Sequence, residues 1–312
     1  MAFVPAGVIP AVLLPFADNL EIDEKSFRAH LRDVASTDGI SAVTINAHST
    51  EVASCSFEEQ RRVMEMTVEE IGDRLPIVHG VWADGSLEAA RIARAAAAGG
   101  AAALLVFPPA PFTLGQNADM ALAHFRRIAD ATDLPLILFQ YPLATGQGYP
   151  PETLLRLVET VPSIRAIKDW TNNVQLHEWQ VRKLQRLPRP VNVLSTHSSW
   201  LFSSLVLGCN GLLSGAGSVI ADLQVKLFRA VAANDLAAAR ALNDRIYPLA
   251  RAFYADPFAD MHNRMKEALV LLGRLPRAVV RPPLVKLGVA EIERIRDALV
   301  EAGLLDEQKR AA

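Results

Sequence analysis

The chain has 312 residues, 51% of them hydrophobic, so it can bury a large core, and its length fits one (β/α)8 barrel of about 250 residues with an appended segment. A formal charge of −2, with no basic stretch interleaved with aromatics, argues against a nucleic-acid partner. The two cysteines, Cys55 and Cys209, make neither a disulfide framework nor a CxxC pair, which suits a reducing compartment.

The opening MAFVPAGVIPAVLLPF is apolar but lacks a basic leader, and Pro5, Pro10 and Pro15 interrupt it, so it reads as a strand rather than a signal peptide. The alanine-rich run from Ala95 to Ala103 is broken by Gly99 and Gly100 and is too short to span a bilayer. No membrane partner is expected, and a cytoplasmic location is. Apolar strand-like runs then alternate with amphipathic helical stretches. The strands fall at Val8–Leu14, Ala42–Ile45, Pro76–His79, Ala103–Phe107, Pro135–Phe139, Ile164–Lys168, Val191–Ser195 and Gly211–Ser214. Helices at Phe57–Ile71, Leu87–Ala98, Ala118–Ala131 and Pro151–Val161 lie between them, and the last barrel helix lies near Leu223–Ala232. Eight such repeats predict an α/β fold, a (β/α)8 TIM barrel over residues 1–232. Further helical stretches at Leu236–Ala255, Met261–Leu272 and Ala290–Ala302 predict a C-terminal helical extension, 233–312, packed on the barrel. No Gly-rich dinucleotide fingerprint follows the first strand and no GxxxxGK[ST] occurs.

In a barrel the active face is the mouth at the C-terminal strand ends. Strand two ends in Asn46-Ala47-His48-Ser49-Thr50-Glu51, strand three in His79, strand five in Phe139-Gln140-Tyr141, strand six in Lys168-Asp169, and strand seven in Ser195-Thr196-His197-Ser198. Strand eight leads into Ser214-Gly215-Ala216-Gly217-Ser218, whose small residues let a ligand approach the backbone. Lys168 stands out, because no other lysine occurs between Lys25 and Lys183 and it closes a short apolar run. A partly desolvated amine has its pKa lowered and can attack a carbonyl to form a Schiff base; the alternative is a strand-end lysine paired with Asp169 or reaching to solvent.

In its motifs the chain resembles the dihydrodipicolinate synthase and N-acetylneuraminate lyase family of Schiff-base-forming barrels. Gly7-Val8-Ile9-Pro10-Ala11 through Pro15-Phe16 resembles the family's first strand, and Leu134 to Gly146 its fifth. Ala166-Ile167-Lys168-Asp169 resembles the segment with the Schiff-base lysine, and Gly208-Cys209-Asn210-Gly211 the entry to strand eight. The resemblance implies that Lys168 is the nucleophile, that no cofactor is needed beyond the covalent iminium, and that the chain forms a homotetramer built from close dimers. The departures concern proton transfer. His48 replaces the first hydroxyl of the relay, Phe139 stands where the family carries its catalytic tyrosine, and Ala144 aligns with the arginine that binds the second substrate's carboxylate. A proline-rich loop, Phe107-Pro108-Pro109-Ala110-Pro111-Phe112, takes the place of a tyrosine pair. On these departures dihydrodipicolinate synthesis is not the expected reaction.

The expected function is a lyase in which Lys168 attacks the ketone of a 2-oxo acid such as pyruvate, for reversible carbon–carbon cleavage. Dehydration of a 2-keto-3-deoxy sugar acid through the same iminium is the close alternative. Ser49 and Thr50 are expected to bind the substrate carboxylate, with Phe139, Thr196, His197, Ser214 and Gly215 around the rest. His48 and Tyr141 are the candidate acid/base groups, although a loop histidine and a core tyrosine would look the same. Two other readings stay open. His48, His79 and His197 at three strand ends suggest a metal-dependent aldolase, and a barrel that lost its relay could bind a 2-oxo acid without turnover. The segment Tyr254 to Lys266 is charged and distinctive, and is read as structural rather than as a lid.

Overall fold

The computed structural model describes residues 3–306, so the last six residues of the expected extension, 307–312, lie outside the described residues. Eight parallel strands run β1 (Gly7–Pro10), β2 (Val43–Ile45), β3 (Ile77–Val81), β4 (Ala103–Val106), β5 (Leu136–Gln140), β6 (Ile164–Asp169), β7 (Asn192–Ser195) and β8 (Gly211–Ser214). From β2 to β8 each strand pairs with the next in sequence, and β8 pairs with β1. Between β1 and β2 the wall is completed by Ser41 N donating to Val8 O at 2.9 Å and Val12 N donating to Thr44 O at 3.0 Å. The result is the expected TIM barrel. The first strand is shorter than its apolar run suggests: Pro10 has no N–H to donate, and beyond it only an isolated bridge, Ala11 to Thr44, continues the pairing. The third strand runs two residues past His79, to Val81.

Helices α1 (Glu24–Ala35), α2 (Phe57–Ile71), α3 (Ser86–Ala98), α4 (Ala118–Ala129), α5 (Pro151–Thr160), α6 (Val174–Leu184), α7 (Leu201–Val206) and α8 (Gly217–Ala232) connect the strands. Their starts are written in the sequence. Ser56 Oγ accepts from Glu59 N at 3.1 Å while the Glu59 carboxylate accepts from Ser56 N at 2.8 Å, and Asp23, Asn117 and Asn173 cap α1, α4 and α6 in the simpler way.

Because side chains alternate across a strand, the barrel has two cores. Ile9, Leu105, Ile137, Ala166, Leu194 and Leu213 fill the lumen, whereas Val8, Leu104, Leu138, Ile167, Val193 and Leu212 pack outward against the helices. Lys168 is two residues past Ala166 and so turns inward, toward the mouth.

The extension comprises α9 (Leu236–Phe253), α10 (Met261–Leu271) and α11 (Val289–Glu301), with α9 lying against both α8 and α11. It is locked to the barrel by a buried ion pair. Lys266 Nζ donates to the Glu51 carboxylate and to Val279 O at 2.8 Å, and Glu51 also accepts from Arg281 N at 3.0 Å. Arg281 in turn forks onto Glu59 at the start of α2. Glu51 holds a left-handed backbone, φ 52°, at the end of the His48–Thr50 turn, so this pair fixes the turn as well as the extension.

Removing one partner of a buried pair strands the other charge. Lys266→Ala is therefore expected to lower the unfolding free energy by ~3–5 kcal/mol, read from urea denaturation. A loss below ~1 kcal/mol would mean that solvent reaches Glu51 and that the pair does not brace the turn.

Candidate active site

The strand ends and the extension enclose a cavity of about 500 Å³. Lys168 lies in its wall with only 6% of its surface exposed, and its ammonium has no carboxylate partner. An aromatic face lies beside it: Nζ sits 4.1 Å from the centre of the Phe139 ring. Burial lowers its pKa to about 7, far below the ordinary amine value, so the neutral form is accessible near neutral pH.

Asp169, one residue on, faces the other way. Its carboxylate accepts from His177 Nδ1 on α6 at 2.6 Å and from Thr171 N at 2.9 Å, and His177 Nε2 lies 2.9 Å from Ser204 Oγ on α7. Burial alone would raise the carboxyl, but the two imidazoles of His177 and His197 outweigh it and keep Asp169 ionised. Burial alone would likewise lower His177, but Asp169 raises it to about 9 and holds it as the imidazolium. Lys168 is therefore not paired with Asp169, whose charge is already answered.

His48 and Tyr141 come together. His48 Nε2 is 2.5 Å from Tyr141 Oη, inside an aromatic box of Trp82, Phe107 and Phe139. Burial raises the phenol well above its ordinary value, and burial, with the nearby Lys168, lowers His48 to about 3. Both groups are neutral. Among the described residues the phenol has no other acceptor, and in the tautomer in which it donates to Nε2 the imidazole proton sits on Nδ1. His48 itself lines the cavity.

The remaining predicted residues divide. Ser49, Phe139, Thr196, His197 and Gly215 line the cavity. Ser49 Oγ is buried there with no hydrogen-bond partner, a donor waiting for an acceptor. Thr50 does not line it: its hydroxyl donates to Ala47 O at 2.9 Å and accepts from Ala47 N at 3.0 Å, so it is spent on the turn. Ser214 lies behind the wall, its hydroxyl 3.5 Å from that of Ser198. His197 stacks on Trp200, with Nε2 3.3 Å from Asp169 Oδ2 but off the hydrogen-bond line.

His48, His79 and His197 do not converge. His79 faces the helical shell, where Nε2 meets Asn46 Nδ2 at 2.8 Å and Nδ1 meets Gly80 O at 2.7 Å. Among the described residues, the histidines and acids that do cluster with metal-ligand spacing are Asp169, His177 and His197, and there the Asp169–His177 contact is a hydrogen bond in its own right.

The extension supplies Arg251, Tyr254, Asp256, Phe258, Met261 and His262 to the cavity. None of these was a site candidate from sequence, because the charge pattern of Tyr254 to Lys266 is equally that of an ordinary helix start.

The family model for the dihydrodipicolinate synthetase family matches residues 4–302. The chain belongs to that family. A 4-hydroxy-tetrahydrodipicolinate synthase from Nitratidesulfovibrio vulgaris is 30% identical, over 96% of this chain and 99% of the relative. One from Pseudomonas aeruginosa is 30% identical over the same shares, and one from Methanopyrus kandleri is 29% identical over 98% and 99%. Among solved structures, dihydrodipicolinate synthase from Thermotoga maritima superposes with a TM-score of 0.88 at 23% identity, over 97% of this chain and 100% of that one. The prophage protein YagE from Escherichia coli, solved with pyruvate, gives 0.87 at 23%, over 96% and 99%. These structures establish the shared fold. Membership makes the chain a lyase of the class I aldolase kind, and no helix among its described residues is long and apolar enough to cross a membrane. The names of the relatives leave the expectation against dihydrodipicolinate synthesis without support.

The depressed lysine carries a stability signature. Its folded pKa lies below the unfolded value of 10.5, so it destabilises the fold at neutral pH, and the penalty fades as pH rises from about 7 and is gone above 10.5. The shift corresponds to ~5 kcal/mol. Lys168→Met is expected to raise the thermal midpoint at pH 7 and to lose that advantage above pH ~10.5. A lower midpoint at pH 7 would show that the amine is not desolvated.

Proposed function

We propose that this family member is a Schiff-base-forming lyase that acts on a 2-oxo acid of the pyruvate type, reversibly cleaving or making a carbon–carbon bond. The observation that carries the reading is the buried amine of Lys168, without a carboxylate partner among the described residues, its pKa lowered by burial, set in a cavity with an unsatisfied hydroxyl at Ser49. The neutral amine attacks the ketone carbon, and the carbinolamine hydroxyl leaves as water. The iminium that remains accepts the electron pair released when the adjacent bond breaks. Ser49 Oγ and the backbone of its turn meet the substrate carboxylate, and the Nδ1–H of His48, backed by Tyr141, donates to the oxygen that departs. The same iminium serves elimination of a β-hydroxyl, so dehydration of a 2-keto-3-deoxy sugar acid remains the neighbouring reaction.

A second reading is favoured by the curated relatives: synthesis of 4-hydroxy-tetrahydrodipicolinate, the activity in their names. It uses the same first half-reaction. The chain is proposed to work in the cytoplasm as a homotetramer, without a cofactor beyond the lysine iminium, on a small molecule rather than a nucleic acid or membrane.

Incubation with pyruvate and borohydride, read by intact-protein mass spectrometry, is expected to give one reduced adduct on the wild type and none on Lys168→Ala. An adduct on both, or on neither, overturns the reading. The trapping rate is expected to rise with pH through a midpoint at about 7, because only the amine freed of its proton attacks. A midpoint two or more units higher would place the lysine in water. Condensation of the trapped-competent enzyme with aspartate semialdehyde separates the second reading from the first.

A further inference from the structure

Schiff-base chemistry needs a base as well as a nucleophile. Once the iminium has formed, the proton on C3 must be taken off to give the enamine, and in the cleavage direction a proton must be returned there. His48 is poorly placed for this work, since its Nε2 is already engaged with the Tyr141 hydroxyl at 2.5 Å. Phe139 and Thr196 have no lone pair of useful basicity, and Tyr141 is held protonated by burial.

His262 is different. It sits in the first turn of α10, is 7% exposed, and lines the cavity. Among the described residues neither ring nitrogen has a hydrogen-bond partner, so one lone pair is free whichever tautomer is present. The ring reaches inward because position 215 has no side chain: a Cβ on Gly215 would lie 2.7 Å from His262 Nε2 and 3.2 Å from Cδ2. The fold thus leaves space at the end of β8 that this imidazole fills. Burial, with the nearby charges of Lys168 and Lys266, keeps its pKa well below 6.5, and the positive end of α10 acts in the same direction. It is therefore unprotonated at neutral pH.

Resting on the Schiff-base reading above, we infer that His262 is the catalytic residue that carries the proton to and from C3 of the lysine-bound 2-oxo acid. The step balances within the site. The His262 Nε2 lone pair takes the C3 proton, and the C–H pair becomes the C2=C3 bond. The iminium π pair returns to the Lys168 nitrogen, leaving a neutral enamine and an imidazolium. The reverse step restores the iminium: the imidazolium gives its proton back to the enamine carbon, and the nitrogen lone pair re-forms the C=N bond. Two neutral imidazoles thereby divide the work, with His48 donating to oxygen and His262 exchanging with carbon.

The test uses pyruvate alone. Hydrogen–deuterium exchange of its methyl protons in deuterium oxide, followed by NMR, reports C3 proton transfer, and borohydride trapping on the same samples reports the Schiff base. His262→Asn is expected to slow exchange ~100-fold or more, the range of a lost general base, while adduct yield stays within about twofold. Gly215→Ala, which keeps the histidine but pushes its ring aside, is expected to slow exchange in the same direction with trapping retained. The assignment is overturned if exchange in a folded His262→Asn enzyme stays within ~3-fold of wild type, since a general base is worth more than that. It is equally overturned if trapping is lost along with exchange, because His262 then serves iminium formation. Failure of the underlying reading looks different: the wild type itself yields no adduct.

Discussion

Everything in the site depends on one unfavourable placement, an amine buried without a counter-charge. An ion pair at Lys168 would stabilise the fold and silence the nucleophile, since a neighbouring carboxylate holds the ammonium on. The chain avoids this although an aspartate is the very next residue. Strand alternation sends Lys168 into the lumen and Asp169 into the shell, and there His177 and Thr171 take up the carboxylate completely. The aromatic face of Phe139 beneath Nζ is compatible with either protonation state, which an anion would not be.

The same logic explains why the mouth can discard hydroxyls and still move protons. In a pocket walled by Trp82, Phe107, Phe139 and Tyr141, burial keeps both phenol and imidazole neutral, and a neutral imidazole is a donor on one nitrogen and an acceptor on the other. The Tyr141 hydroxyl fixes which is which on His48. Phe139 moves no proton itself, yet it helps set the dry surroundings that shift both Lys168 and His48.

Much of the fold was legible because two periodicities mark it. Apolar runs gave all eight strands, and helix starts carried their own caps, as at Ser56-Glu59. Lys168 was legible too, through its isolation in sequence and its place at a strand end. The pairing of His48 with Tyr141 was only half visible: both fell at the mouth, but 93 residues separate them and nothing in either segment states the contact. Thr50 misled, because a hydroxyl in a tight turn is often consumed by the turn, and only geometry tells that from a binding group. His79 misled for a parity reason: Val78 before it faces the lumen, so strand alternation turns His79 to the shell side. His262 was invisible as chemistry, since its helix start looks like any other and its role rests on an absent side chain at Gly215.

The extension is consequently part of the catalytic unit rather than a covering. Lys266 on α10 pairs with Glu51 at the end of the turn that presents Ser49, and His262, one helical turn earlier on the same face, enters the cavity. One helix thus braces the turn that carries Ser49 and brings an imidazole into the cavity that holds the lysine. The barrel closed its lumen with apolar layers and left the polar mouth open, so the parts that make the mouth a dry chamber had to come from elsewhere in the chain. Desolvation of Lys168 is then a property of barrel and extension together, and a change that loosened α10 would return water, and with it the proton, to the nucleophile.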